Sequence, residues 1–386
     1  MISRRHFLGT LAAAVGARGT MSGLSTALVS GAAHTVPKQI KMFAIDFNWL
    51  TKDGKRTWAP PGHWADASPE AHVQWCKDLG ANVIHSFAVS CNGYAWYEGG
   101  IVPPQPGLKY DFFPEVIRLA RKQNMMVTSY YCIGANVKWG LEHPDLTYGT
   151  PTTWAIPLTD QYLDFFTKLL ADGMKKTGME VCTLDWLWSP NRKLRTKGWL
   201  EADKKLFKQL TGTRFPASGV PSDDDVLAYE RLAIDRCWRR IRETRDQTDR
   251  NCLLSLWVYD AKQPSIAGSK IFQEIDWFIN ENPSAQIMDY IKQRVRKQAR
   301  LIQNEGGWRE HDAKAYFSDP KHRSADLCGF AEPRDNGVPL PVSEYLGKPI
   351  DAFNRHDILA ANDYNIAVMA RVYRGLAMDA VIPQKS

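Results

Sequence analysis

Short apolar runs alternate with longer amphipathic segments from residue 41 almost to the C-terminus. Runs of this length are typical of buried strands, and the helical spacing of apolar residues between them is typical of crossover helices. The alternation therefore predicts a parallel sheet covered by helices. The predicted strands span residues 41–47, 82–87, 126–133, 180–187, 252–259, 275–279, 300–303 and 326–330.

Local patterns also predict individual helices. Ser68 followed by Pro69 is typical of a helix N-terminus and predicts a helix over Pro69–Leu79, while helical spacing predicts another over 113–123. Eight strand–helix units without a Gly-rich dinucleotide loop favour closure into a (β/α)8 TIM barrel over a doubly wound sheet. The predicted fold class is therefore α/β.

Residues 190–225 depart from the alternation because they are polar and contain Gly, Pro and a run of three aspartates. We interpret them as a βα-loop insertion after the fourth strand, with a helix of its own over 200–210. No internal repeat or linker follows. The sequence thus predicts one barrel domain over residues 34–386.

The N-terminus has the form of a twin-arginine export signal over residues 1–33. Arg4 and Arg5 precede an apolar, Ala- and Gly-rich run, and small residues at Ala32 and Ala33 offer a cleavage site. A membrane anchor is the alternative, but Arg18 interrupts a run that would need roughly 20 apolar residues to span a bilayer. We expect a periplasmic or secreted protein with no stable membrane anchor.

Charge and cysteine content exclude several functions. The net charge is +7, but the basic residues are scattered over segments such as 292–300, which favours solvated helix faces and gives no nucleic-acid footprint. The 7 cysteines lack zinc-site spacing. Cys132, Cys182 and Cys252 fall in or beside predicted strands, so we interpret them as small buried hydrophobic residues.

Carboxylates and aromatics are concentrated where the predicted strands end, which is the catalytic end of a barrel. Sugar rings stack on aromatics and their hydroxyls bond to carboxylates and amides, so this mixture predicts a carbohydrate cleft. For any single aromatic, core filling is an equal alternative. The predicted substrate-binding residues are Asp46, Trp49, His85, Asn92, Tyr94, Tyr130, Tyr131, Trp139, Trp186, Trp188, Trp257, Asn280, Glu305 and Glu332.

Asp185 is the strongest catalytic candidate. A carboxylate within an apolar strand destabilises the fold unless it has partners, so its presence there favours a functional role. Glu281, after the sixth strand, is the predicted partner acid, and Glu305 and Glu332 are the competing choices. Phosphate-loop, GxSxG and HExxH motifs are absent from the sequence. We therefore expect no cofactor and no metal.

The segments 82–88, 93–97, 127–131, 142–144 and 184–186 resemble the glycosyl-hydrolase-like barrels called hypothetical family 6, which are relatives of the family 29 α-L-fucosidases. The resemblance covers most of the chain after the export signal. It implies that Asp185 is the nucleophile of a retaining mechanism. The sequence departs from fucosidases at strand one, where Asp46-Phe47-Asn48-Trp49 replaces a His-Trp pair, and no C-terminal β-sandwich is predicted.

The sequence thus predicts a glycoside hydrolase acting on an oligosaccharide or polysaccharide fragment, with an α-L-fucoside-like substrate as one possibility. One alternative is an exported carbohydrate-binding barrel without catalysis. Another is a barrel lyase or epimerase, which would require a metal.

The export prediction can be checked directly. N-terminal sequencing of protein recovered from the periplasm or medium should give a chain that begins near Ala32 or Ala33. Replacing Arg4 and Arg5 together by lysine should retain the uncleaved chain in the cytoplasm, because the pathway recognises the arginine pair. Unchanged export of that double variant would contradict the prediction.

Overall fold

A computed structural model describes residues 35–148, 155–187, 195, 198–282, 284–306 and 311–383. The strands are β1 (Lys41–Ile45), β2 (Trp49–Lys52), β3 (Lys55–Trp58), β4 (Val83–Phe87), β5 (Met126–Cys132), β6 (Val181–Asp185), β7 (Leu253–Val258), β8 (Trp277–Asn280), β9 (Arg300–Asn304) and β10 (Asp326–Ala331). All except β2 and β3 form a closed parallel barrel in chain order, with β10 paired to β1. The predicted barrel is confirmed.

Helices follow the barrel strands and cover their outer faces. They are α1 (Pro69–Leu79), α2 (Phe112–Lys122), α3 (Val137–Glu142), α4 (Asp160–Thr177), α5 (Glu201–Thr211), α6 (Asp223–Thr248), α7 (Ile271–Glu274), α8 (Ala285–Lys292), α9 (Ala313–Tyr316), α10 (Val342–Leu346) and α11 (Ile358–Tyr373). Short 3-10 segments lie at Pro144–Leu146, Pro320–Ser324 and Ile350–Ala352. Within the described part of the chain, no helix is both long and apolar enough to cross a membrane.

The ends of α1 show how the local sequence sets an element. The Ser68 side chain accepts a hydrogen bond from the backbone N–H of Ala71, and Pro69 occupies the first turn, where it loses no helical hydrogen bond. Gly80 ends the helix with φ of 91°, a conformation that glycine adopts without strain. The predicted bounds of α1 are confirmed.

Side chains alternate between the inside and the outside of the barrel along each strand. The inner cluster consists of Ile40, Met42, Ala44, Val83, Met126, Val181, Trp257, Trp277, Ile279, Ile302, Cys328 and Phe330. Residues two positions further along the same strands therefore face the mouth of the barrel. This alternation decides which strand-end residues can meet a ligand.

The antiparallel hairpin of β2 and β3 between β1 and α1 was not predicted. Its turn residues, Asp53 and Gly54, have φ of 53° and 71°, the positive values required by the tight turn that fits a twisted hairpin. Asp-Gly is the sequence typical of that turn.

The loop insertion contains α5 as predicted, but its predicted end is wrong. Asp223, Asp224 and Asp225 form the first turn of α6, where carboxylates interact favourably with the helix dipole. The Ser222 side chain caps this helix by accepting from the N–H of Asp225. The aspartate run therefore begins a long helix.

A buried ionic cluster fixes α5 against α6. Arg195 donates to Asp203 and to Glu230, each at 3.0 Å, and all three side chains are buried. The hydroxyls of Tyr148 and Tyr229 also donate to Asp203. A buried ion pair of this kind depends on every partner, because removal of one leaves a charge without compensation.

Candidate active site

Asp185 lies at the end of β6 and faces the barrel interior, in alternation with Val181 and Thr183. The Tyr130 hydroxyl donates to its Oδ2 at 2.8 Å, and the backbone N–H of Trp186 donates to its Oδ1 at 2.8 Å. Burial raises the pKa of Asp185 to about 7; these hydrogen bonds lower it, and the charge of Asp46 raises it. Both carboxylate oxygens are thus oriented by neighbouring groups.

Trp186 has φ of 57°, a left-handed conformation that is uncommon for a residue other than glycine. This conformation accompanies the hydrogen bond from its N–H to Asp185. Strained backbone of this kind is typical of functional sites. The strain therefore marks the end of β6 as a place where side-chain position matters.

Asp46 follows β1 and is the second carboxylate at the mouth. Its Oδ1 accepts from the N–H of Asn48 at 2.8 Å. Burial raises the pKa of Asp46 to about 6, the Arg56 guanidinium lowers it, and the charge of Glu332 raises it. Asp46 therefore belongs to the same electrostatic cluster as Asp185.

Glu281 follows Asn280 at the end of β8 and continues the inward alternation of Trp277 and Ile279. Its N–H donates to the carbonyl of Val258, which extends the ladder to β7. The charge of Glu281 adds to burial in raising the pKa of Cys328, which faces the interior. Asp185 ends β6 and Glu281 follows β8, and only β7 lies between these strands. At the usual spacing the two strands are about 10 Å apart.

Glu332 does not serve as a free acid, because it anchors the hairpin. It accepts from the N–H of Thr51 at 2.8 Å and from the Thr51 hydroxyl at 3.0 Å, and it pairs with Arg56 at 2.7 Å. The side chain is buried. Glu332 therefore has a structural role, because it holds β2 and β3 beside the mouth. This corrects its assignment as a competing candidate for the catalytic acid.

The hairpin brings half-buried indoles to the mouth. The rings of Trp49 and Trp58 stack at 3.9 Å, and Trp58 lies 5.5 Å from Trp186, the residue after Asp185. Arg56 packs over Trp49 at 4.8 Å. Trp49 and Trp186 were predicted binding residues, whereas Trp58 and Arg56 were not predicted, although the Asp-Gly turn places both opposite β2.

His85 and Trp257 lie inside the barrel below the mouth. The Nδ1 atom of His85 is 2.5 Å from the hydroxyl of Thr128, and its ring lies 5.2 Å from Trp257. Burial lowers the pKa of His85 to about 3, so the ring is neutral at physiological pH. Trp257 also approaches Phe330 at 6.3 Å, which forms an aromatic floor across the barrel.

Three predicted binding residues face away from the interior. Tyr131 is buried against α4, so close that a side chain on Gly173 would overlap its hydroxyl. Asn280 bonds to Gln303 on the outer face. Glu305 lies on the same face; burial raises its pKa to about 8, and the Gln303 side chain lowers it. We correct these three assignments, because alternation turns each side chain outward.

Other predicted residues organise loops. The Asn92 side chain bonds to Gln105 and accepts from the N–H of Tyr94, so its groups serve the loop after β4. Trp139 is buried and stacks on His143 at 4.3 Å, which places it in the core beside α4 and corrects its assignment as a ligand. Tyr94 is half-buried. Trp188 lies outside the described residues.

Metal ligands are not gathered at the mouth: in the described ranges, no group of three or more His, Cys, Asp or Glu side chains could hold an ion. All 7 cysteines are buried, as predicted for Cys132, Cys182 and Cys252. The site therefore consists of carboxylates, aromatics and a few amide and hydroxyl groups.

This arrangement can be compared with known proteins. No protein-family model and no curated protein matches the sequence. Among solved structures, α-L-fucosidase isoenzyme 2 from Paenibacillus thiaminolyticus is 13% identical with a TM-score of 0.58, over 87% of this chain and 49% of that chain. This similarity shows that the two proteins share a closed (β/α)8-barrel fold.

Two other solved structures are more distant. The Thermotoga maritima α-fucosidase is 11% identical with a TM-score of 0.40, over 80% of this chain and 56% of that one. The PgaB glycoside hydrolase domain from Bordetella bronchiseptica is 12% identical with a TM-score of 0.49, over 78% and 94%. The chain thus spans about half the length of the fucosidases that it matches.

The raised pKa of Asp185 predicts how stability depends on pH. From about pH 4 to about pH 7 the folded state keeps a proton that the unfolded state has lost, so this carboxyl makes folding less favourable as pH rises. We expect Asp185→Asn to melt at least about 2 °C above the wild type at pH 8, with the difference vanishing near pH 4. Thermal melts across this range measure it.

Asp326→Asn is the control, because that carboxylate pairs with Arg300 at 2.6 Å and accepts from the N–H of Ile40. It should melt below the wild type at pH 8. A melting temperature for Asp185→Asn below the wild type at pH 8 would contradict the burial penalty.

Proposed function

We propose that the protein is a retaining glycoside hydrolase in which Asp185 is the nucleophile and Glu281 the acid/base. The observation that carries the proposal is the placement of Asp185 at the mouth, where the side chain is half-buried, faces inward and is held at both oxygens. The resemblance to fucosidases and the similar fold of solved glycosidases support it. An exported location is part of the proposal and rests on the N-terminal arginine pair.

The proposed chemistry follows from these positions. Asp185 attacks the anomeric carbon while Glu281 protonates the departing glycosidic oxygen, which gives a covalent glycosyl-enzyme. Glu281 then takes a proton from water as the water oxygen attacks the anomeric carbon, which breaks the bond to Asp185 and releases the sugar and the free carboxylate. The Tyr130 hydroxyl and the Trp186 N–H hold Asp185 and favour its ionised form.

The substrate is proposed to be an oligosaccharide or polysaccharide fragment. Half-buried indoles beside Asp185 provide stacking surfaces for sugar rings. An α-L-fucoside is the first substrate to test, because solved fucosidases share the fold. Aryl glycosides of several sugars identify the preferred one.

The nucleophile assignment predicts the behaviour of Asp185→Asn. The substitution keeps the shape of the side chain but removes its charge, so turnover of the best substrate should fall by about 10³-fold or more with a much smaller change in substrate affinity. Steady-state kinetics and sugar-binding calorimetry measure the two effects. Anomer-resolved NMR of the wild-type product should show retention of configuration.

Asp260→Asn is the matched control, since this carboxylate follows β7 and is exposed to solvent. It should keep turnover within about twofold of the wild type. Turnover of Asp185→Asn within about tenfold of the wild type would contradict the assignment. Sugar binding without turnover in the wild type would favour a carbohydrate-binding barrel.

The acid/base assignment predicts a different pattern for Glu281→Ala. Substrates with poor leaving groups should slow far more than activated aryl glycosides, because only the former need a proton on the leaving oxygen. Azide should partly restore turnover by replacing the water that Glu281 activates, and the product should be a glycosyl azide. Asp46→Ala is the comparison variant, and azide rescue confined to Asp46→Ala would move the role to Asp46.

A further inference from the structure

Two N–H groups inside the barrel have no hydrogen-bond partner among the residues that the structure describes. They are Nε1 of Trp257 and Nδ2 of Asn304, and the two residues are 6% and 0% exposed. Leaving a buried donor unpaired costs free energy, so folded proteins rarely keep one without water or a ligand. Asn304 was not among the predicted site residues.

Both donors lie beside the proposed catalytic carboxylates. Leu184 pairs with Leu256, so the next residues along the two strands, Asp185 and Trp257, are neighbours. Asn280 pairs with Gln303, so Glu281 and Asn304 follow as neighbours on β8 and β9. Each carboxylate acceptor thus has an N–H donor on the adjacent strand.

The orientation of each donor is fixed by packing. Trp257 belongs to the inner cluster and is held between His85 and Phe330. Asn304 follows Ile302 of the same cluster by two positions, so it also faces inward. Its Oδ1 accepts from the N–H of Gly306 at 3.3 Å, which leaves Nδ2 as the end directed away from that bond.

We propose that the Trp257 and Asn304 N–H groups bind two hydroxyl oxygens of the sugar ring that lies at the mouth beside Asp185. This inference rests on the proposed hydrolase function and deepens it by naming the sugar as neutral at those two positions. N–H donors repel an ammonium group, and the nearby carboxylates Asp46, Asp185 and Glu281 repel a carboxylate or sulfate. A hydroxyl can bind to the N–H donors and to the carboxylates, because it accepts a hydrogen bond from N–H and donates its own proton.

The test measures binding without turnover. The probes are neutral-hydroxyl iminosugars, namely the gluco-, galacto-, manno- and L-fuco-configured deoxynojirimycins, titrated into the full-length protein by calorimetry. For the tightest probe, Trp257→Phe and Asn304→Leu should each raise Kd about tenfold, the loss of one well-made hydrogen bond. Trp257→Phe should leave the melting temperature of the free protein near that of the wild type, because its Nε1 bonds to no described group.

Matched controls separate binding from folding. Trp75 donates its Nε1 proton to the carbonyl of Leu340, and Asn280 donates to Gln303 on the outer face. Trp75→Phe and Asn280→Leu should therefore lower the melting temperature and leave Kd unchanged.

A deoxygenated probe distinguishes loss of the N–H group from loss of ring area. If the hydroxyl removed from the probe is the one that accepts from the Trp257 N–H, the probe should bind Trp257→Phe and the wild type with equal affinity. Wild-type Kd values in both Trp257→Phe and Asn304→Leu would overturn the inference and assign the two donors to water. Absence of binding by all four probes would also overturn it, whereas a result against Asp185 as nucleophile would not.

Discussion

Closure of the parallel barrel sets the position of every side chain at the mouth. Once each strand is paired on both sides, its register decides which residues point inward and at what height. Asp185, Glu281 and Asn304 reach the mouth, and Trp257 lies beside Asp185 just below it, because all four continue the inward alternation of four neighbouring strands. The site is thus a consequence of register, and a shift of one residue on β6 would turn Asp185 into the helix layer.

Polar groups at the mouth destabilise the folded state. Burial opposes the charges of Asp46 and Asp185, and Trp257 and Asn304 hold donors that bond to no described group. Destabilising polar groups of this kind are typical of sites that bind polar ligands, because the ligand supplies the missing interactions. The ionic cluster around Asp203 is different, since its charges are paired within the protein and fix the insertion in place.

The similarity to solved glycosidases concerns the fold, and the proposed chemistry rests on residues of this chain. Its strand one carries Asp46 in a place where the resemblance leads one to expect a His-Trp pair. The hairpin after that strand supplies Trp58 and Arg56. Glu332, which follows β10, binds this hairpin at the junction where β10 pairs with β1. Asp46 and the hairpin therefore set the arrangement of side chains at the strand-one side of the mouth, and a measurement of sugar preference would test the proposed function there.

The sequence predicted the eight strands and the barrel and singled out Asp185 as a candidate, because apolar periodicity and a carboxylate within an apolar strand are local features. It could not determine which strand-end residues face inward. Tyr131, Asn280 and Glu305 lie one position from inward-facing Tyr130, Glu281 and Asn304, and strand ends are uncertain by more than one residue in any pattern. The contact of Glu332 with Thr51 joins residues 281 positions apart, so only closure of the barrel could decide that this carboxylate holds a hairpin.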